Sequence, residues 1–404
     1  MKRANASRQA AAPIEVHATA KQPLGMPARQ FLRDYWQKQP LLIRGLFAGG
    51  VDAVAPEDLA GLACEEAALS RIVVRDAQHE RWRVRNGPFR ESEFPRLGRK
   101  NWTLLVQDVD KWDMDVAALL ERFAFIPSWR IDDVMVSYAT DGGGVGAHVD
   151  HYDVFLVQGA GYRRWSIDAH TREYSPDAFR DDTELKLLRE FTPTHEWLLD
   201  PGDALYLPPG VPHDGVALGE CTTYSIGMRA PSRAELLFDF VEFLAEPLTE
   251  DRRYSDPDLV PANDSAEIDD AALARVVRAM PHFAEVDKAT LARWFGRFIT
   301  RYRSAQVVAA PAREIGIPAL TRRLPGSTVL RNPFSRYAWR RSGRDAELYV
   351  AGEVWRCPLP LAQMLASRRE IDGPKLAALA QGASVLQTLK SLLDAGHLRL
   401  IRRG

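Results

Sequence analysis

Between Ile72 and Ile226 the chain alternates short apolar stretches with glycine and proline breaks. Residues 71–75, 102–106, 134–138, 153–158, 164–167, 204–207 and 222–227 are each the length of a strand and bounded by turn formers. Many such strands in succession predict a sandwich or a jelly-roll barrel. Ahead of them, Phe31, Leu32, Tyr35 and Trp36 recur at helical spacing until Pro40 stops the helix, and 41–43 reads as a buried strand.

After Pro231 the texture becomes helical, with 234–246, 269–280 and 289–303 free of proline and nearly free of glycine. The first of these is apolar around most of its circumference, which predicts burial on several sides, either inside the chain or against a second subunit. From Pro318 strand-like pieces at 328–331, 337–341, 347–350 and 353–356 precede helical stretches at 359–366, 375–380 and 384–395. Gly396 is placed to end the last helix, and 398–401 closes as a strand. Residues 1–25 are small and polar and read as a disordered tail.

Composition narrows the class. The 404 residues are 46% hydrophobic and 26% charged, enough for two or three globular domains. A net charge of −1 supplies no global field for nucleic acid or membrane. Cys64, Cys221 and Cys357 stand far apart, which excludes a cysteine-based zinc site and fits a reducing compartment. The sequence contains no apolar run long enough to predict a membrane span, so a cytoplasmic protein is expected.

The chemistry concentrates in GGGVGAHVDHYDVFLVQGAGYRRW, residues 142–165. If 147–157 runs as a strand, His148 and Asp150 share a face and His151 points away. An imidazole and a carboxylate on one face are two ligands of a facial triad. The third candidate is His213, 63 positions after Asp150, in DPGDALYLPPGVPHDG, where two tight turns bracket a strand. Two histidines and a carboxylate on one side of an octahedral iron(II) leave three positions for a bidentate oxo-acid and dioxygen. His195 is the best spare histidine. Arg163 or its neighbour Arg164 returns on a hairpin beside His148, and a guanidinium there suits a distal carboxylate. Alternation puts only one of the two inside, on the side of Trp165 if it is Arg163.

Together these two stretches resemble the paired cupin motifs of the JmjC-type 2-oxoglutarate oxygenases, and specifically of the bacterial ribosomal oxygenases. RQFLRDYWQKQPLLIRG near the N-terminus resembles the start of the same family. The resemblance covers residue 26 to the end. It implies an α+β chain: a double-stranded β-helix (jelly-roll, cupin) domain at 26–230, a helical dimerisation region at 231–317 and a winged-helix-like domain at 318–404. Matched position by position, it implies Fe(II) on His148, Asp150 and His213, with 2-oxoglutarate and O2 as co-substrates. It also implies Arg163 on the far carboxylate and Ser137 near the same co-substrate. The implied activity is 3-hydroxylation of an arginine in a large-subunit ribosomal protein by a homodimeric enzyme.

Two charged segments remain. QDVDKWDMD (107–115) carries four aspartates beside Trp112, and with Asp141 it is a candidate wall for a cationic peptide; the competing expectation is that Asp115 caps a helix at 116–123. Residues 321–344 hold seven arginines and no acid, a candidate contact for ribosomal RNA. The alternative functions are a JmjC-type demethylase and a DNA-binding regulator with a ligand-sensing cupin.

Overall fold

A computed structural model describes residues 14–76, 78–79, 81–170, 173–248, 255–259, 268, 270–280, 286–301, 308–380 and 382–403. The chain divides into two compact units, the first ending at Ala230 and the second beginning at Pro231.

The strands of the first unit are β1 (Glu15–His17), β2 (Leu41–Arg44), β3 (Ser70–Asp76), β4 (Arg81–Asn86), β5 (Trp102–Val106) and β6 (Ile131–Ala139). They continue as β7 (Val154–Gln158), β8 (Tyr162–Ile167), β9 (His195–Leu199), β10 (Ala204–Leu207), β11 (His213–Leu218) and β12 (Cys221–Met228). One sheet takes the order β1-β2-β10-β7-β12-β6-β5-β3-β4, and a smaller one takes β11-β8-β9. Period-two alternation sorts the side chains. Val134 and Val136, Phe155 and Val157, and Tyr224 and Ile226 fill the main core on one face of the large sheet. The main core also takes in residues of the short helices α1 (Ala28–Asp34), α2 (Pro56–Leu62), α3 (Val109–Trp112) and α4 (Met114–Ala118). Phe31, Phe155 and Tyr206 anchor it with ring centroids 4.9–5.7 Å apart; each such buried side chain contributes about 1.5–3 kcal/mol. The opposite face carries Leu42, Leu156, Leu205 and Leu207, which pack with Trp165, Ile167 and Leu199 of the small sheet. By the same alternation Ser137 and Thr223 lie on this inner face, and Arg163 shares the face of Trp165 on the small sheet.

The predicted jelly-roll strands are present, with four additions: β1, β4, β9 and β11. Three expectations are corrected. Residues 147–157 are not one strand: β7 begins at Val154, and His148 is instead fixed by isolated bridges to His213 and Leu187. The predicted tail is partly ordered, since β1 pairs in parallel with β2 and Leu24 is buried; residues 1–13 lie outside the described residues. The helix cap is Asp113 rather than Asp115, its carboxylate accepting from the backbone N–H groups of Asp115 and Val116 at 2.8 Å each.

The second unit begins with α5 (Arg233–Ala245), α6 (Asp270–Ala279) and α7 (Lys288–Thr300). The helix expected to be buried on several sides has no buried residue: in α5 Leu237 is 56% and Phe238 75% exposed. Its other side meets α7, where Phe240 packs against Trp294 and Asp239 accepts from the Trp294 indole N–H at 2.8 Å. Then come α8 (Ile317–Arg323), β13 (Ser327–Arg331), β14 (Tyr337–Ser342), β15 (Asp345–Val350), β16 (Glu353–Pro358) and α9 (Leu359–Ser367). The unit closes with β17 (Glu370–Asp372), α10 (Gly373–Leu379), α11 (Ala383–Asp394) and β18 (Leu398–Arg402). The sheets are β17-β13-β18 and β14-β15-β16, around a core of their own that includes Leu320, Val329, Leu361 and Leu389. Gly396 follows α11 with φ +79°, the left-handed ending read from the sequence.

Candidate metal and co-substrate site

His148, Asp150 and His213 place their ligand atoms within 4.8 Å of one another, and among the described residues they are the one such group. Asp150 Oδ2 lies 4.0 Å from His148 Nε2 and 3.6 Å from His213 Nε2. The distal ring nitrogens face the shared space because the proximal ones are engaged. His148 Nδ1 donates to the Gly146 carbonyl at 2.9 Å and His213 Nδ1 to the Val211 carbonyl at 3.0 Å. That arrangement fixes the tautomer that leaves Nε2 as a lone-pair donor. Burial, and then the neighbouring His148, push His213 down to about 4, so its imidazole is neutral at ordinary pH. Two imidazoles with their Nε2 atoms free for coordination, beside one carboxylate, are a donor set suited to a divalent transition metal.

Of the two arginines, Arg163 is the buried one, and Arg164 faces solvent. Arg163 Nε and Nη2 are buried without hydrogen-bond partners, a costly condition for a guanidinium that a carboxylate would relieve. Trp165 connects it to the triad, with the Arg163 guanidinium 5.8 Å from its ring and the His213 ring also at 5.8 Å. Gly215 makes room for that indole: a Cβ there would sit 2.6 Å from the Trp165 ring. Ser137 is buried on the inner face and pairs in register with Leu105 on one side and Thr223 on the other. Thr223 Oγ1, Thr103 Oγ1 and the Trp165 indole nitrogen are also buried without partners. Neither threonine is marked by the sequence: strand register alone puts Thr223 beside Ser137 and Thr103 beside Ala139, two residues along β6. Asp214, next to His213, is shifted upward by burial, with Arg75, His148 and Arg163 opposing.

The acidic segment is occupied with structure. Asp110 pairs with Lys111 and accepts the Val134 N–H, Asp113 caps α4, and Asp133 accepts the Asp108 N–H. Asp141 pairs with Lys100 and holds the Gly219 N–H. His195 stacks on Trp197, apart from the triad.

Comparison with known proteins agrees with this geometry. Residues 118–236 match the JmjC domain, and residues 282–399 match the ROXA-like winged helix. Over 371 residues the chain is 34% identical to the ribosomal protein uL16 3-hydroxylase of Escherichia coli (strain K12), covering 91% of this chain and 96% of that protein. The chain belongs to the JmjC ribosomal oxygenases. The X-ray structure of E. coli ycfD superposes on this oxygenase with a TM-score of 0.80 at 32% identity, covering 94% of this chain and 99% of that one. The structure of that ribosomal oxygenase with cobalt and 2-oxoglutarate gives 0.77, covering 93% and 99%. As a member of the family, the oxygenase is a 2-oxoglutarate-dependent enzyme with a JmjC cupin fold and a winged-helix domain.

Proposed function

We propose that this oxygenase hydroxylates an arginine side chain of a large-subunit ribosomal protein, at the carbon that makes the product a 3-hydroxyarginine. The observation that carries this reading is the clustered His148, Asp150 and His213 group in a chain similar over almost its whole length to a uL16 3-hydroxylase. In this reading the three side chains hold Fe(II), which with 2-oxoglutarate and O2 supplies the oxidising chemistry for C–H hydroxylation.

The protein's own contribution is binding and placement. His148 and His213 present Nε2 to the shared space because backbone carbonyls hold their Nδ1 protons. Arg163 takes the distal carboxylate of 2-oxoglutarate, and its two unpartnered nitrogens support that role. Ser137, with Thr103 and Thr223 on the same face, offers hydroxyls to the same co-substrate. The apolar packing of Trp165, Leu156 and Leu207 behind the site limits water access.

Helices α5 and α6 form the core of a dimerisation region, 231–317. The exposed Leu237, Phe238 and Val241 on α5, with Leu273 on α6, support a homodimer, because large apolar side chains left in water are costly. Arg340 and Arg341, exposed on β14 directly after the exposed Trp339, are the basic surface offered to ribosomal RNA; its affinity should fall with salt. A ribosomal substrate and unpaired cysteines support a cytoplasmic location.

The test is intact-mass analysis of purified large-subunit ribosomal proteins incubated with enzyme, Fe(II), 2-oxoglutarate and oxygen. A gain of one oxygen atom on uL16, lost in His148→Ala, is expected. Formaldehyde release from a methylated peptide without that gain would replace hydroxylation by demethylation. Sequence-specific DNA binding without succinate formation would replace both by a regulator.

A further inference from the structure

The residue that orients His148 is itself gripped from behind. Gly146, whose carbonyl accepts the His148 Nδ1 proton, has φ +84°, and a Cβ built on it would lie 3.1 Å from the Trp82 indole and 3.1 Å from Leu187 Cδ1. Two large side chains from different parts of the chain therefore rest on the Gly146 Cα. Leu187 belongs to the connection between β8 and β9, which is tied to the metal-binding segment by the backbone. Leu187 bridges His148, and the Leu188 N–H donates to the Ala147 carbonyl at 2.8 Å. Arg180 of the same connection donates its N–H to the Leu187 carbonyl at 2.8 Å. Its guanidinium is 5.1 Å from the Trp82 ring centroid and is held by Asp182 at 2.9 and 2.6 Å. Arg75, the register partner of Trp82 on β3, puts a second guanidinium 5.6 Å from the same ring.

Nothing in this arrangement uses the indole N–H, which is buried without a partner. A buried tryptophan usually satisfies that donor, and leaving it unmade costs about 1–3 kcal/mol. What the position draws on is the width of the ring against Gly146 and its affinity for cations, strongest for indole among the aromatics.

We propose that Trp82 is a positioning residue for the metal centre. It presses Gly146 into the conformation that keeps its carbonyl on His148 Nδ1, and through Arg180 it locks segment 179–188 onto the metal-binding segment. The proposal rests on the reading of His148 as a metal ligand. Outer groups that orient a ligating histidine typically change metal affinity by about 10–100-fold when removed.

Cobalt(II) binding to the full chain, followed by its visible absorption, tests this. Trp82→Ala is expected to weaken cobalt affinity about tenfold or more and to alter the ligand-field spectrum. Trp82→Phe should recover part of the loss, and KM for 2-oxoglutarate at saturating metal should change little. Arg180→Met, which leaves the core intact, should weaken cobalt in the same direction and by less, and it stands in if Trp82→Ala does not fold. Wild-type cobalt affinity and spectrum in the folded variant, alongside lost binding in His148→Ala, overturn the positioning role alone. Unchanged binding in His148→Ala overturns the ligand reading and the proposal with it.

Discussion

His148 and His213 face each other as a hydrogen-bonded bridge pair, each donating its backbone N–H to the other's carbonyl at 3.0 Å, with ring centroids 4.2 Å apart. The spacing of the two rings is thus set by main chain, and truncating either side chain leaves the bridge in place. His148→Ala should abolish metal uptake and 2-oxoglutarate turnover while leaving the thermal midpoint of the metal-free protein nearly unchanged. Calorimetry beside a metal titration checks both. A large drop in the metal-free midpoint would mean that the ring, and not the bridge, maintains the local fold.

Arg163 and Arg164 are adjacent in sequence and opposite in environment. Arg163→Met should raise KM for 2-oxoglutarate about a hundredfold, ~3 kcal/mol, the order expected for a lost charge-assisted pair. Arg163→Lys should recover only part of this, because an ammonium lacks the planar fork. Arg164→Met should leave KM unchanged. Steady-state turnover against 2-oxoglutarate concentration separates the variants, and equal effects from the two methionine variants would remove Arg163 from the co-substrate site.

Much of this site was legible because it is written locally. The two-residue spacing of His148 and Asp150 and the turns bracketing His213 single out three candidate ligands, which the fold brings within 4.8 Å of one another. Other parts were not legible, for identifiable reasons. Arg81–Asn86 alternates arginine with Trp82, Val84 and Asn86, so its apolar face is too sparse to read as a strand, although it forms β4. The alternation around His148 predicts a strand, but its order comes from two bridges to residues 39 and 65 positions away. Thr103 and Thr223 reach the site through the register of β5, β6 and β12. The exposed apolar surface of α5 is the reverse case. Its composition was read correctly, but composition cannot say whether a partner lies within the chain.

A buried carboxylate ties the start of β7 to the N-terminal segment. Asp153, fully buried, accepts from Tyr206 Oη at 2.7 Å, Gln37 Nε2 at 2.9 Å and Arg130 Nη2 at 3.3 Å. Tyr206 Oη in turn accepts the Gln37 N–H at 2.8 Å, holding that residue at φ +55°. Asp153→Ala leaves three donors without their acceptor and should cost about 3–5 kcal/mol in urea unfolding. Tyr206→Phe, which removes one hydroxyl, should cost about 1–2 kcal/mol. Equal losses from the two would show that the tyrosine, and not the carboxylate, organises the network.

Asp133 supplies a pH dependence of stability. Burial, reinforced by the carboxylates of Asp108 and Asp132, raises it from 3.8 to about 7. The unfolded chain releases this proton near pH 4, whereas the folded protein keeps it until about pH 7. Between those limits the folded state binds more protons, so the stability Asp133 contributes is fully present below pH 4 and declines as pH rises through 7, beyond which it is level. Asp133→Asn keeps an oxygen for the Asp108 N–H, which now bonds Asp133 at 3.2 Å, and carries no ionisable proton. Relative to wild type, the variant should therefore gain more stability at pH 8 than at pH 5. Urea unfolding at the two values measures the difference directly. An identical offset at both pH values would place the ionisation of Asp133 outside this window and assign any pH dependence there to other groups.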